Sequence, residues 1–260
     1  MSLAAAATRR TFLTLGGGLT GAVLLGSSAT ALGMPSIPKI HMRHEWEAHP
    51  PRIRATILDE FPDRLVVHHT ASPNQEDTSV EAAYALSRAI QRHHMLSNGW
   101  DDIGEQFTIS RGGHVMEGRN RTWHAVRYGR HVVGAHAANH NRHALGIETE
   151  GTYMTELPPS DQLEALVCML AWLCWNYYLQ PHDAIIGHRD LNATSCPGDR
   201  FYAFLPELRD LVYQRIRKEE RRVYRRGTPS TQQVSVQGGF PGPRHVFDHG
   251  PEHGPMDLVR

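Results

Sequence analysis

The 260-residue chain is 40% hydrophobic and 21% charged, enough for one good-sized core with tails attached. Lys plus Arg and Asp plus Glu balance at 27 each, which removes any global field directed at nucleic acid or an anionic membrane surface. Its 3 cysteines are too few for a disulfide scaffold, whereas its 18 histidines are an enrichment that points towards metal without locating it.

Residues 1–33 read as a targeting segment. Arg9 and Arg10 precede an apolar, glycine-rich run from about Leu15 to Leu25, and Ala29-Thr30-Ala31 offers a small-x-small cleavage site. The arrangement resembles a twin-arginine export signal. The run is shorter than the roughly 20 residues that span a bilayer, so no membrane span is expected in the mature protein and its place is the periplasm or the cell exterior. Residues 34–63, rich in Pro, Arg and His, read as an extended lead-in with Trp46 docked on the domain.

Residues 64–217 alternate strand and helix signals, the pattern of an α/β domain with a central mixed β-sheet flanked by helices. Leu65-Val66-Val67-His68-His69 reads as a buried strand. Thr78-x-x-Glu81 predicts a capping box opening a helix to about Met95. Arg111-Gly112-Gly113-His114 predicts a hairpin between Phe107, Ile109 and Val115, Met116. Leu145 to Thr149 is a further strand. Ser160 is the expected cap of a helix that is apolar all round from Leu166 to Trp175, on which Cys168 and Cys174 occupy different faces and do not bridge. Ala184-Ile185-Ile186 is a last strand, and a helix carrying Leu205, Leu208, Leu211 and Val212 closes the domain near Arg217. Residues 218–260, basic and then rich in Gly, Pro and His, read as a disordered tail. His245, His249 and His253 recur there every four residues, but the surrounding prolines oppose a helix that would align them.

Chemistry gathers in two distant segments. Gly187-His188-Arg189-Asp190 through Cys196-Pro197-Gly198 puts a His and a Cys on a loop leaving a strand, and His68-His69 ends another strand. Two imidazoles and a thiolate suit tetrahedral Zn²⁺ with one open position. Successive strand residues face opposite sides, so only one of His68 and His69 points at the metal. No His-Glu-x-x-His helix and no Gly-x-Ser-x-Gly elbow is present.

Val66 to Ala71, Gly99-Trp100-Asp101-Asp102-Ile103-Gly104, Glu117-Gly118-Arg119, Gly134-Ala135-His136, Gly146-Ile147 and the Gly187 to Gly198 segment together resemble, in order, the peptidoglycan recognition proteins and type 2 amidases. The resemblance spans about Arg43 to Leu211. It implies a single amidase-2 domain with zinc at one end of a surface groove that takes muropeptide. The implied ligands are His68, His188 and Cys196, one zinc per chain, with His69 structural and donating to a carbonyl or an outer-shell group. The implied reaction is hydrolysis of the amide between N-acetylmuramic acid and L-alanine, by a monomer. Such hydrolysis needs an acid/base group. Relatives with amidase activity usually carry Tyr where this chain has Glu105, and strand alternation sets Glu105 on the face of Phe107 and Ile109, so Glu105 is the first candidate. Glu148 is the second, because Gly146-Ile147-Glu148-Thr149-Glu150-Gly151 resembles the catalytic strand of cytoplasmic anhydromuropeptide amidases. Thr194 matches a position beside the developing oxyanion. Trp123, His124 and His136 match cleft positions, Asn139 and Asn141 are expected to hydrogen-bond the stem peptide, and Arg119 is expected to pair with a muropeptide carboxylate or with Asp102. Some proteins of this resemblance bind muropeptide without zinc, so the alternative is a non-catalytic receptor. Receptors typically lack the Cys that this chain keeps.

Overall fold

The computed structural model describes residues 35–225. The expected export signal, the Arg9-Arg10 pair and the tail histidines His245, His249 and His253 lie outside the described residues. In chain order come β1 (Ile40–His41), β2 (Ile57–Leu58), β3 (Arg64–His69), α1 (Val80–Arg92), β4 (Phe107–Ile109) and β5 (Val115–Glu117). These are followed by α2 (Thr122–Val126), β6 (His131–Val132), β7 (Ala144–Thr149), α3 (Ser160–Tyr177), α4 (Pro181–Ala184), β8 (Ile185–Gly187) and α5 (Asp199–Arg225).

A mixed sheet runs β1-β5-β4-β7-β3-β8, and β2 with β6 forms a separate antiparallel pair. The two longest strands, β3 and β7, sit side by side and parallel, with Val67 opposite Ile147 and His68 opposite Glu148. Their near-continuous burial is what a strand covered on both faces requires. β4 continues the parallel order, then β5 turns back through the hairpin, where Gly113 takes φ +77 and supplies a backbone angle that a side chain would strain.

Period-two alternation divides the core. Leu65, Val67, Phe107, Ile109, Leu145, Ile147 and Ile185 enter one cluster with Leu166, Leu170 and Leu173 of α3 and Phe201, Leu205 and Leu208 of α5. On the opposite face Val66 and Ala144 pack with Ala137 and Leu191, while Met116 joins Trp46, Ala83 and Ile103. α3 is buried on most of its faces, as its apolar composition demands.

Four local details depart from the sequence reading. α1 is capped by Ser79, whose hydroxyl accepts from Ala82 N at 3.2 Å, and Thr78 instead points its carbonyl at His114 Nε2 (3.1 Å). Ser160 is the first helical residue of α3, so Pro159 is its cap and no side chain closes the turn. The 34–63 lead-in supplies β1 at the sheet edge and β2, while Trp46 docks as the sequence reading has it, fully buried with its indole N–H donating to Glu117 O at 3.1 Å. α5 continues past Arg217 to Arg225, carrying the first residues of the expected tail. Buried Ile216 and the i,i+3 pairs Arg217–Glu220 (2.8 Å) and Arg222–Glu219 (3.2 Å) support that extension, whereas Leu211 faces water at 38% exposure.

Candidate metal centre

Alternation along β3 sends His68 to the face away from α3 and α5 and His69 towards them. His68 lies opposite Glu148 of β7, which lies opposite Thr108 of β4, so three polar residues form a row across neighbouring strands. His69 packs near Tyr153, and its Nδ1 accepts from Tyr153 N at 3.3 Å instead of donating to a carbonyl.

β8 runs parallel beside β3 with Gly187 opposite Val67, so the chain leaves β8 next to His68. The exit turn, His188–Asp190, is pinned by Asp190 Oδ2 accepting from Gly187 N at 2.8 Å. The rings of His68 and His188 lie 4.4 Å apart. The loop folds back through Arg189 N donating to Cys196 O (3.0 Å), which sets Cys196 Sγ 3.7 Å from His68 Nδ1, where it also accepts from His69 N at 3.3 Å. One donor atom each from His68, His188 and Cys196 lies within 4.8 Å of the others, the one such group among the described residues.

The residues fit zinc by their donor chemistry. Nε2 of His68 is engaged by His136 at 3.0 Å and Nε2 of His188 by Asn192 at 3.1 Å, which leaves Nδ1 of both rings for a metal beside the thiol. Burial holds His68 well below the usual imidazole range, with His188 as the second cause, and burial lowers His188 as well. Burial pushes the Cys196 thiol up to about 12, partly opposed by the His69 N–H bond.

Two carboxyls stand beside this group. Glu105 lies in the loop before β4, so strand alternation does not reach it: it turns away from the Phe107 and Ile109 side and accepts from Thr108 Oγ1 at 3.3 Å. It is 3% exposed, with His94 Nδ1 4.0 Å from its other oxygen. Burial pushes its pKa well up and the neighbouring Glu148 adds to the rise; burial raises Glu148 too, opposed by a hydrogen bond from Glu105. Glu148 keeps partial exposure.

Thr194 is exposed and its oxygen accepts from Cys196 N at 3.2 Å, which leaves the hydroxyl proton free to donate outward. Asn141 Oδ1 accepts from His136 N (2.8 Å) and Ala137 N (3.1 Å), so it braces the segment that carries His136. Asn139 takes φ 70 in that segment. Arg119 ties loops together by donating to Val133 O (2.7 Å) and Ile103 O (2.9 Å), while Asp102 is held by Arg43, Gln91 and Asn120. Trp123 packs on Trp172 at 5.7 Å, on the helix side of the sheet, and His124 is exposed with its ring edge towards Tyr128. The structure does not bring these two to the cluster. His94, Thr108 and Asn192 were not singled out by sequence. Asn192 carried a signal, four residues from each of His188 and Cys196, whereas Thr108 becomes visible only once β4 is set beside β7.

Fold and cluster define a mixed α/β protein with a His-His-Cys centre where adjacent parallel strands end. The family described as N-acetylmuramoyl-L-alanine amidase matches residues 59–199, and the chain belongs to this amidase-2 family, which is shared with the peptidoglycan recognition proteins. The N-acetylmuramoyl-L-alanine amidase of Sus scrofa is 37% identical over 169 residues, covering 65% of this chain and 27% of that protein. The peptidoglycan-recognition protein LB of Drosophila melanogaster is 32% identical over 161 residues, covering 62% of this chain and 65% of that one. The chain thus spans about a quarter of the mammalian amidases it matches, 27% of the pig protein and 28% of the human one. The solved structure of Drosophila recognition protein LB superposes with a TM-score of 0.55 at 30% identity, covering 64% of this chain and 91% of that one. Recognition protein LE, solved in complex with tracheal cytotoxin, a monomeric diaminopimelic acid-type peptidoglycan, gives 0.56 at 31% identity over 65% of this chain and 92% of that one. Its relatives thus include proteins named as N-acetylmuramoyl-L-alanine amidases and one solved with a bound monomeric peptidoglycan.

Proposed function

We propose that this protein is a zinc-dependent N-acetylmuramoyl-L-alanine amidase that hydrolyses the amide joining muramic acid to L-alanine. The observation that carries the reading is the convergence of His68, His188 and Cys196 with a partly exposed carboxyl, Glu148, in register beside the first ligand. Zinc bound there supplies Lewis acidity, polarising an amide carbonyl and making water acidic near neutral pH. Glu148 takes the proton from the attacking water and returns it to the departing L-alanine nitrogen. Glu105, buried beside it, is pushed well towards its neutral form by burial and by the charge of Glu148, which leaves Glu148 as the ionised member of the pair. Partial exposure makes Glu148, ahead of Glu105, the group that touches substrate. The Thr194 hydroxyl donates to the carbonyl oxygen as negative charge develops. The products are a lactyl carboxylate and a stem peptide with a free L-alanine amine.

The test is digestion of purified peptidoglycan with and without a chelator, with Cys196→Ser alongside, followed by mass analysis. Free L-alanine amines are expected only from the metal-replete native protein. Retained binding to insoluble peptidoglycan with no such product from the native protein would establish the receptor reading instead.

We further propose export by the twin-arginine route, on the strength of Arg9 and Arg10 ahead of the apolar run. Changing both to Lys is expected to leave precursor in the cytoplasm on fractionation, and normal secretion of that variant would exclude this route.

A further inference from the structure

The hydrogen bonds behind the two histidine ligands lead back to one segment, residues 134–143. A carbonyl oxygen only accepts, so His136 Nε2, 3.2 Å from Ala144 O, carries a hydrogen. Its ring partners, His68 and Ala144 O, include no carboxylate to hold a second proton, so the neutral ring keeps a lone pair on Nδ1. That lone pair faces His68 Nε2 at 3.0 Å, which must therefore donate, and His68 is left with a bare Nδ1, the nitrogen nearest Cys196 Sγ. The second ligand is set in the same way. Ala138 O accepts from Asn192 Nδ2 at 3.3 Å, which turns Asn192 Oδ1 towards His188 Nε2 at 3.1 Å and assigns that nitrogen the proton. His188 thus also offers Nδ1.

Two glycines make room for this arrangement. A Cβ at Gly146, in the middle of β7, would lie 2.7 Å from His136 Cγ and 2.8 Å from its Nδ1. One at Gly134 would lie 2.6 Å from His136 Cδ2. Neither glycine has a left-handed φ, so what they provide is space for the imidazole and not backbone freedom.

We propose that residues 134–143, seated in the slot left by Gly134 and Gly146, set the tautomers of both histidine ligands, with His136 as the positioning residue that presents His68 Nδ1 to the metal. The inference rests on reading the cluster as a zinc centre, and it assigns His136 to the back of a ligand in place of the substrate cleft. Outer-shell partners of this kind typically contribute about 10–100-fold to metal affinity.

The experiment joins imidazole ¹⁵N NMR of the metal-free native protein with zinc affinity by chelator competition. In the native protein both His68 and His136 are expected to carry their proton on Nε2. His136→Phe removes the acceptor and should weaken zinc about 10–100-fold. His136→Gln can accept through Oε1 and donate through Nε2, so it should stay within about threefold of native affinity. Gly146→Ala, which touches no ligand, should shift towards the Phe variant by displacing the ring. A proton on Nδ1 of His68, or native zinc affinity in His136→Phe, would overturn the proposal. Failure of the native protein to bind zinc would remove the zinc-centre reading, and the NMR spectrum would still decide the tautomers on its own.

Discussion

At the scale of the residue, the acid/base chemistry rests on a pair. Burial raises the pKa of both Glu105 and Glu148, and the charge of Glu148 raises Glu105 further, so Glu105 is the member pushed harder towards its neutral form. Glu148→Gln is expected to lower turnover by about 10²–10⁴-fold, the usual contribution of a general base. Glu105→Gln should cost far less, within about tenfold, because a neutral amide replaces a carboxyl that burial already pushes towards its neutral form. The reverse order of losses in kcat would move the base to Glu105. The same variant carries a stability signature. Because the Glu105 pKa is raised on folding, the folded chain binds a proton that the unfolded chain has released above the ordinary glutamate range. This group's contribution is full below about pH 4 and is lost as pH rises through the folded value. Metal-free Glu105→Gln should therefore gain in Tm relative to the native protein as pH is raised from about 4 to 7. A constant difference across that range would show that Glu105 is not protonated on folding.

At the scale of the element, periodicity was a reliable guide where packing repeats and a weaker one where single side chains close an end. Leu65 to His69, Leu145 to Thr149 and the Leu166 to Trp175 stretch become β3, β7 and the buried part of α3, since burial on both faces leaves a mark in composition. Helix starts depend on one hydroxyl and on what the neighbouring loop takes from it. Ser79 caps α1 because the hairpin at Gly112 to His114 draws Thr78 aside. Ser79→Ala should accordingly destabilise the fold by about 0.5–2 kcal/mol and Thr78→Ala by less, as read by urea denaturation. Equal losses would return the cap to the Thr78 box. The tail boundary shifted for a related reason: composition marks where apolar residues stop, but Arg217, Glu219, Glu220 and Arg222 carry α5 onward through paired charges.

At the scale of the whole molecule, the centre links parts of the chain that are remote in sequence. His68 is the penultimate residue of β3, while His188 and Cys196 bound the loop after β8, and the parallel pairing of these strands brings them together. A ligand that binds only the folded chain stabilises it by about 2.7 kcal/mol when present at 100 times its Kd. Adding zinc to the metal-free native protein should therefore raise Tm by several degrees, and Cys196→Ser should lose most of that rise. A native Tm indifferent to zinc would mean that the three side chains do not act as one site.

The sequence by itself determined the α/β class, the principal strands, the helices and the His and Cys donor types of the site, because burial, turns and donor types are properties of residue identity and spacing, while the choice of His68 as a ligand rested on the family resemblance. It also narrowed the His68-His69 doublet to one ligand through the two-residue period of a strand. Tertiary structure alone decided which residues surround the ligands. His136, Asn192 and Thr108 come to the centre from separate loops and strands, and Glu105 turns to Thr108 because its loop escapes the alternation of β4. Trp123, in an equally suggestive sequence context, is drawn to Trp172 on the far side of the sheet. Which of two faces a loop residue meets depends on how the strands are ordered, and strand order is set by the burial of the whole sheet, not by any local stretch of chain.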